Sequence, residues 1–181
     1  MSHTSVEGTI DAVDHAMMER CIALAIRAMD HGEYPYAAVV CRNGEIVCES
    51  INSVRHDRDV SHHAEMIAIS EPLRRLNRVS LEDCTIYANA EPCALCCYAL
   101  RETRIGRVVF GVPAPLTGGV TRWNILTDTK LSDTVPEVFA PPQLDGEAPN
   151  GAGLTTADRY PADYPVSLRE PPAGLLFSPT T

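Results

Sequence analysis

Between Asp11 and His31, apolar residues return at intervals of three and four: Met17, Cys21, Leu24, Ala25 and Ala28. That spacing lines one face of an α-helix, and Gly32 suits the left-handed position that ends one. The next stretch, Pro35-Tyr-Ala-Ala-Val-Val-Cys41, is apolar without a helical period and reads as a strand. Asn43-Gly44 follows, a strong signal for a two-residue hairpin turn, and Glu45 to Ile51 returns as the partner strand. A polar loop occupies Asn52 to Ser61. From His63 to Asn77 the period is helical again, with Ala64, Ile67, Ala68 and Leu76 on one side and Pro72 as the expected kink or end. Cys84-Thr-Ile-Tyr-Ala-Asn-Ala90 reads as a buried strand. Cys93 to Glu102 reads as a helix entered through Pro92, and Arg107-Val-Val-Phe-Gly111 as a short apolar strand.

Helix, hairpin, helix, strand, helix, strand is the order of an α/β protein with a mixed sheet and helices on both faces. Beyond residue 112 the pattern weakens. Gly118-Gly119 marks a loop, Trp123 to Leu126 fits one helical turn, and Pro136 to Ala140 fits a short edge strand. Nine of the fourteen prolines lie from Pro136 onward, where no helical period survives. The expected organisation is one domain over residues 1–140 and a Pro-rich arm or tail over 141–181.

A chain of 181 residues is long enough for one domain with a core of its own. No apolar run approaches the length that crosses a bilayer. The first eleven residues contain neither a basic n-region nor an apolar h-region, so the expectation is no signal peptide and a cytoplasmic protein whose thiols stay reduced. The formal net charge of −9 opposes long-range attraction to a polyanion. Two local clusters, Arg74, Arg75 and Arg78, then Arg101, Arg104 and Arg107, read as solvated helix faces and helix C-terminal charges.

The candidate chemistry sits in Glu91-Pro-Cys-Ala-Leu-Cys-Cys97, which gathers three of the seven cysteines. A disulfide, a redox pair and a metal site compete for it. The odd cysteine count and the expected compartment make the disulfide the weakest of these. His63-Ala64-Glu65 opens one helix, and Cys93 with Cys96 opens another. Both helices follow strands of the same sheet, so their N-termini can meet at one edge. Cys93 and Cys96 share a helix face, and a helix N-terminus favours the thiolate. Two thiolates and one imidazole suit zinc. Cys97 points about 100° away around the helix, and His62 is poorly placed beside His63. Three protein ligands leave a fourth position for water, and Glu65 stays unliganded as a general acid/base.

His63-Ala64-Glu65 with Pro92-Cys93-Ala94-Leu95-Cys96 resembles the zinc signature of the cytidine/deoxycytidylate deaminase superfamily. Tyr34-Pro-Tyr-Ala-Ala-Val-Val40, Asn43-Gly44, Asn52, and Arg104-Ile-Gly-Arg-Val-Val-Phe-Gly111 resemble the branch holding bacterial guanine deaminases and tRNA adenosine deaminases. The resemblance spans roughly residues 14 to 126. It implies a three-layer αβα fold with a mixed five-stranded sheet. It also implies one Zn2+ per chain on His63, Cys93 and Cys96, with Glu65 shuttling protons in a hydrolytic deamination that releases ammonia. By the same resemblance, Asn52 binds the base or its sugar, and the Ala64 N–H binds the base. Tyr36 flanks the base or packs in the core. Trp123 lids the pocket or packs in the core or a dimer. A homodimer through an exposed edge near Arg104 to Phe110 is expected. The acidic charge and the Pro-rich tail favour a free nucleobase or nucleoside, guanine first, over nucleic acid. The alternatives are a tRNA adenosine-to-inosine deaminase and a catalytically silent zinc-bound partner subunit. Retention of Glu65 argues against the silent subunit.

Overall fold

The structure, a computed structural model, describes residues 10–132 and 134–139; the expected C-terminal arm lies outside the described residues. Helix α1 (Ala12–Asp30) starts at Asp11, whose carboxylate accepts the Asp14 N–H while the Asp14 carboxylate accepts the Asp11 N–H. This reciprocal pair satisfies two N–H groups that a helix start leaves open. The helix ends at His31, and Gly32 takes a φ of +75° beyond it, a left-handed position where a side chain is strained.

Strands β1 (Ala37–Arg42) and β2 (Glu45–Ile51) form the hairpin. Asn43 and Gly44 both have positive φ, 53° and 80°, as a turn matching the strand twist requires. With β3 (Cys84–Ala90), β4 (Arg107–Val112) and β5 (Glu137–Phe139) they make one sheet of order β2-β1-β3-β4-β5. Strand β1 is antiparallel to both neighbours, whereas β3, β4 and β5 run parallel.

The alternation of side chains along each strand divides the core in two. On one face Cys21, Leu24 and Ala25 of α1 pack on Ala37, Val39, Cys41, Tyr87 and Val109. On the other, helices α3 (Ala64–Arg75) and α4 (Ala94–Glu102) bring Ala68, Ile69, Cys97 and Leu100 onto Ala38, Val40, Ile86, Ala88, Val108 and Phe110. Burial on both faces is why β1 and β3 read as continuous apolar runs. The result is the expected three-layer α/β architecture with a mixed five-stranded sheet.

Several expectations need correction. The polar loop contains a short helix, α2 (Val54–Asp57). Pro72 lies inside α3 and does not end it, since the helix continues to Arg75; the proline is fully buried. The core side of α3 is Ala64, Glu65, Ala68, Ile69 and Pro72, while Leu76 is exposed. Trp123 to Leu126 is a set of turns in which Asn124 takes a φ of 54°, not a helical turn. Two of the clustered arginines are not solvated charges. Buried Arg101 donates to the carbonyls of Ile125, Leu126 and Ser132, and Arg107 of β4 pairs with Asp14 of α1. The stretch from Arg104 to Phe110 is not an exposed edge, because β5 covers β4 and Phe110 is buried. Among the described residues, no helix is long and apolar enough to cross a membrane.

Candidate active site

His63 and Cys93 are the N-cap residues of α3 and α4, each with extended backbone. The two helices rise from the same face of the sheet, so the caps meet. His63 Nδ1 lies 3.6 Å from Cys93 Sγ and 3.4 Å from Cys96 Sγ, and the two sulfurs are 3.6 Å apart. Zinc at about 2.3 Å from sulfur and about 2.0 Å from nitrogen, in tetrahedral geometry, sets donor atoms about 3.5–3.8 Å from one another. Two of the observed separations fall in that range and the third, 3.4 Å, is 0.1 Å short of it. Among the described residues these are also the one group of three or more His, Cys, Asp or Glu whose donor atoms all lie within 4.8 Å of one another.

The electrostatics of the donors agree with their use as ligands. A hydrogen bond with Cys96, then one with His63, holds the Cys93 thiol down to about 4 against the opposing effect of burial. The same contact with Cys93, then burial, pushes the Cys96 thiol up. The contact between the two sulfurs favours the thiolate at Cys93, and thiolates are the form that binds a metal cation. His63 is raised, first by its hydrogen bond with Cys93.

Glu65 lies one residue into α3, only 8% exposed. Cys96 Sγ donates to its Oε2 at 3.5 Å. Burial, the largest influence, raises its carboxyl above the ordinary range. Cys97 is buried, donates to the Pro92 carbonyl at 3.3 Å and stands apart from the three donors. His62 turns away, its Nδ1 on the Asp57 carboxylate at 2.7 Å.

Asn52 closes β2 and is 2% exposed. Its N–H donates to the Tyr36 carbonyl at 2.9 Å, and Ser53 N–H donates to the His62 carbonyl at 3.1 Å, which ties this strand end to the start of α3. Ser50 Oγ adds a bond to the Ala64 carbonyl at 2.6 Å. Asn52 Nδ2 donates to Glu33 Oε2 at 3.0 Å, and the other Glu33 oxygen accepts the His56 N–H at 2.6 Å. Burial raises the Glu33 carboxyl, but hydrogen bonds from His56, Asn52 and neighbouring amides outweigh it and hold it low. An ionised carboxylate only accepts, so Glu33 fixes which end of the Asn52 amide faces it. Tyr36 is half-buried against the core beside α3. Trp123 is 56% exposed beneath the Arg122 guanidinium.

Two buried carboxylates near the site escaped the sequence reading. One is Glu33, which orders Asn52. The other is Glu91, whose carboxylate accepts the N–H groups of Ala114, Val120 and Thr121 and the Thr121 hydroxyl. Its signal was present: a charged residue ending a buried strand directly before Pro92-Cys93.

Residues 11–112 match the family model described as the cytidine and deoxycytidylate deaminase zinc-binding region. The chain is 42% identical over 118 residues to the tRNA-specific adenosine deaminase of Aquifex aeolicus strain VF5, an alignment covering 65% of this chain and 78% of that protein. Among solved structures, a protein from biochemical and structural studies of A-to-I editing by tRNA:A34 deaminases superimposes with a TM-score of 0.68 at 28% identity, covering 71% of this chain and 99% of its own. The guanine deaminase of Bacillus subtilis superimposes with a TM-score of 0.54 at 30% identity, covering 55% of this chain and 64% of its own.

Proposed function

As the chain belongs to the cytidine and deoxycytidylate deaminase family, we propose that it hydrolyses adenosine to inosine in transfer RNA. The observation that carries this reading is the 42% identity, over 78% of its length, to a tRNA-specific adenosine deaminase. The similarity to guanine deaminase, with 64% of that chain covered, supports a free purine base as the second reading. The acidic balance weighs less against RNA than the total suggests. Residues 141–181 hold five acidic and two basic residues, −3 of the net −9. Arg122 and Trp123, exposed and directly after the Glu91-bound Thr121, are the residue types that stack on unpaired bases.

His63, Cys93 and Cys96 hold the metal in this reading. A zinc ion held there would supply Lewis acidity, lowering the pKa of a coordinated water towards neutrality. Glu65 takes a proton from the attacking water and gives it to a ring nitrogen of the base. It then carries a proton to the departing amine. Water is consumed, the C–N bond breaks, a carbonyl forms and ammonia leaves. Asn52, held by Glu33, and the N–H of Ala64 at the open start of α3 orient the base or its sugar. Tyr36 packs beside Asn52 and shapes the floor of the site. The active protein is a homodimer in the cytoplasm.

The deciding experiment offers zinc-loaded protein an anticodon stem-loop with adenosine at the first anticodon position, and separately guanine and adenine. Inosine in the RNA with no ammonia from free bases is the expected result. Ammonia from guanine with an untouched stem-loop replaces this reading by the second one.

A further inference from the structure

Glu91 stands two residues before the first thiol donor and is 5% exposed. Its Oε1 accepts the N–H groups of Val120 at 2.9 Å and Thr121 at 2.7 Å. Its Oε2 accepts the Ala114 N–H at 2.7 Å and the Thr121 hydroxyl at 2.9 Å. Among the described residues no Lys, Arg or His forms an ion pair with it. A buried carboxylate without a cation is tolerated when neutral donors fill its acceptor sites, and here four donors meet two oxygens.

All four donors come from the segment 114–121, and that segment also grips the entrance of α4. Gly119 N–H donates to the Pro92 carbonyl at 2.9 Å, Ala94 N–H donates to the Thr117 carbonyl at 3.3 Å, and Cys93 forms an antiparallel bridge with Gly118. The approach is close enough to demand glycine. A Cβ at Gly118 would stand 2.1 Å from Glu91 Oε1, and one at Gly119 2.3 Å from Cys97 Sγ. Cys93 caps α4 from outside the helical backbone, so its setting depends on what holds residues 92–94.

We propose that Glu91 is a positioning residue of the metal centre: its carboxylate gathers the amides of the 114–121 loop and so holds Pro92, Cys93 and Ala94 where Cys93 and Cys96 meet His63. The inference rests on the three-donor metal centre and is independent of which base is deaminated. Glutamine at this position has the same shape but one acceptor oxygen, and its NH2 faces N–H donors. The loop then loses part of its anchor while the hydrophobic core is untouched.

The test compares four full-length proteins: wild type, Glu91→Gln, Thr121→Val and, as a core control, Ile86→Val. Zinc content, the affinity and release rate of zinc against a competing chelator, and the visible spectrum after cobalt substitution are measured, with melting temperatures alongside. Glu91→Gln should bind zinc about 10- to 100-fold more weakly, the usual effect of losing a group that orders a ligand. Its cobalt spectrum should shift, and Thr121→Val should show a smaller change in the same direction. Ile86→Val should lose thermal stability yet keep wild-type zinc release. A wild-type protein without zinc overturns the metal reading and the inference with it. Zinc in the wild type with unchanged affinity, release and spectrum in Glu91→Gln overturns the inference alone. Should Glu91→Gln not fold, wild-type zinc release in Thr121→Val overturns it.

Discussion

Replacing Asp14 by asparagine should make the protein less stable near neutral pH and make that difference vanish in acid. Asp14 is 2% exposed, and Arg107, which pairs with both its oxygens, is 20% exposed. Tyr87 adds its hydroxyl to Asp14 Oδ1 at 2.8 Å. The Arg107 hydrogen bonds, the largest influence, hold the Asp14 carboxyl at about 2 against an ordinary 3.8. At about 1.4 kcal/mol per pH unit, that interval corresponds to about 2.5 kcal/mol of stability. The sign follows from the depressed value. The contribution is complete above the unfolded carboxyl's pKa, near 4, and is lost as pH falls through the folded value near 2. The assay is urea unfolding of wild type and Asp14→Asn, in parallel, from pH 7 down to pH 2. Loss of metal in acid affects both proteins alike, so the difference between them isolates the carboxyl. A difference that persists undiminished at pH 2, or is absent at pH 7, refutes the reasoning.

Cys96→Ser should abolish stoichiometric zinc binding while Cys97→Ser keeps it, as read by metal analysis after gel filtration; the reverse pattern would mean the donors are misassigned. Glu65→Gln should fold and retain zinc but lose turnover by about 10²–10⁴-fold, the range for a positioned acid/base, and a near-normal rate would remove Glu65 from the mechanism. Gly119→Ala drives a methyl group against the Cys97 sulfur and should cost about 1–3 kcal/mol in chemical unfolding, whereas a neutral result would show that the loop yields freely.

The elements that position the site were legible because each carries its own local signal. The period of α1, the Asn43-Gly44 turn and the limits of β2 and β3 follow from spacing and turn chemistry. His63, Cys93 and Cys96 were legible because ligand type and helix-start position coincide. Pro72 does not end α3, because the backbone rule is local and the proline is buried inside a helix that runs on to Arg75. Glu33 and Glu91 were not legible for a related reason. Their partners are amides of residues at distant positions, and no side-chain pattern marks an amide. The exposed edge expected at Arg104 to Phe110 failed because three residues, Glu137–Phe139, return from far along the chain to pair with β4. The preference for guanine rested on the Pro-rich tail, which lies outside the described residues, and on charge summed over the whole chain, a quantity blind to where charge lies.

The three donors stand 30 and 33 positions apart along the chain, on two helices separated by a central strand. Once metal joins them it acts as a cross-link between early and late parts of the sequence. Closing a loop of that size in the unfolded chain is worth about 3–4 kcal/mol of chain entropy by the estimate used for disulfides. The β1–β2 hairpin closes over a few residues and can form early, whereas the donors assemble only after β3 has paired with β1 and α4 has docked. An emerging chain therefore exposes His63 well before Cys93 or Cys96 can join it. Metal capture falls at the end of folding, and scarcity of metal would be felt as slow maturation of the last helix to arrive.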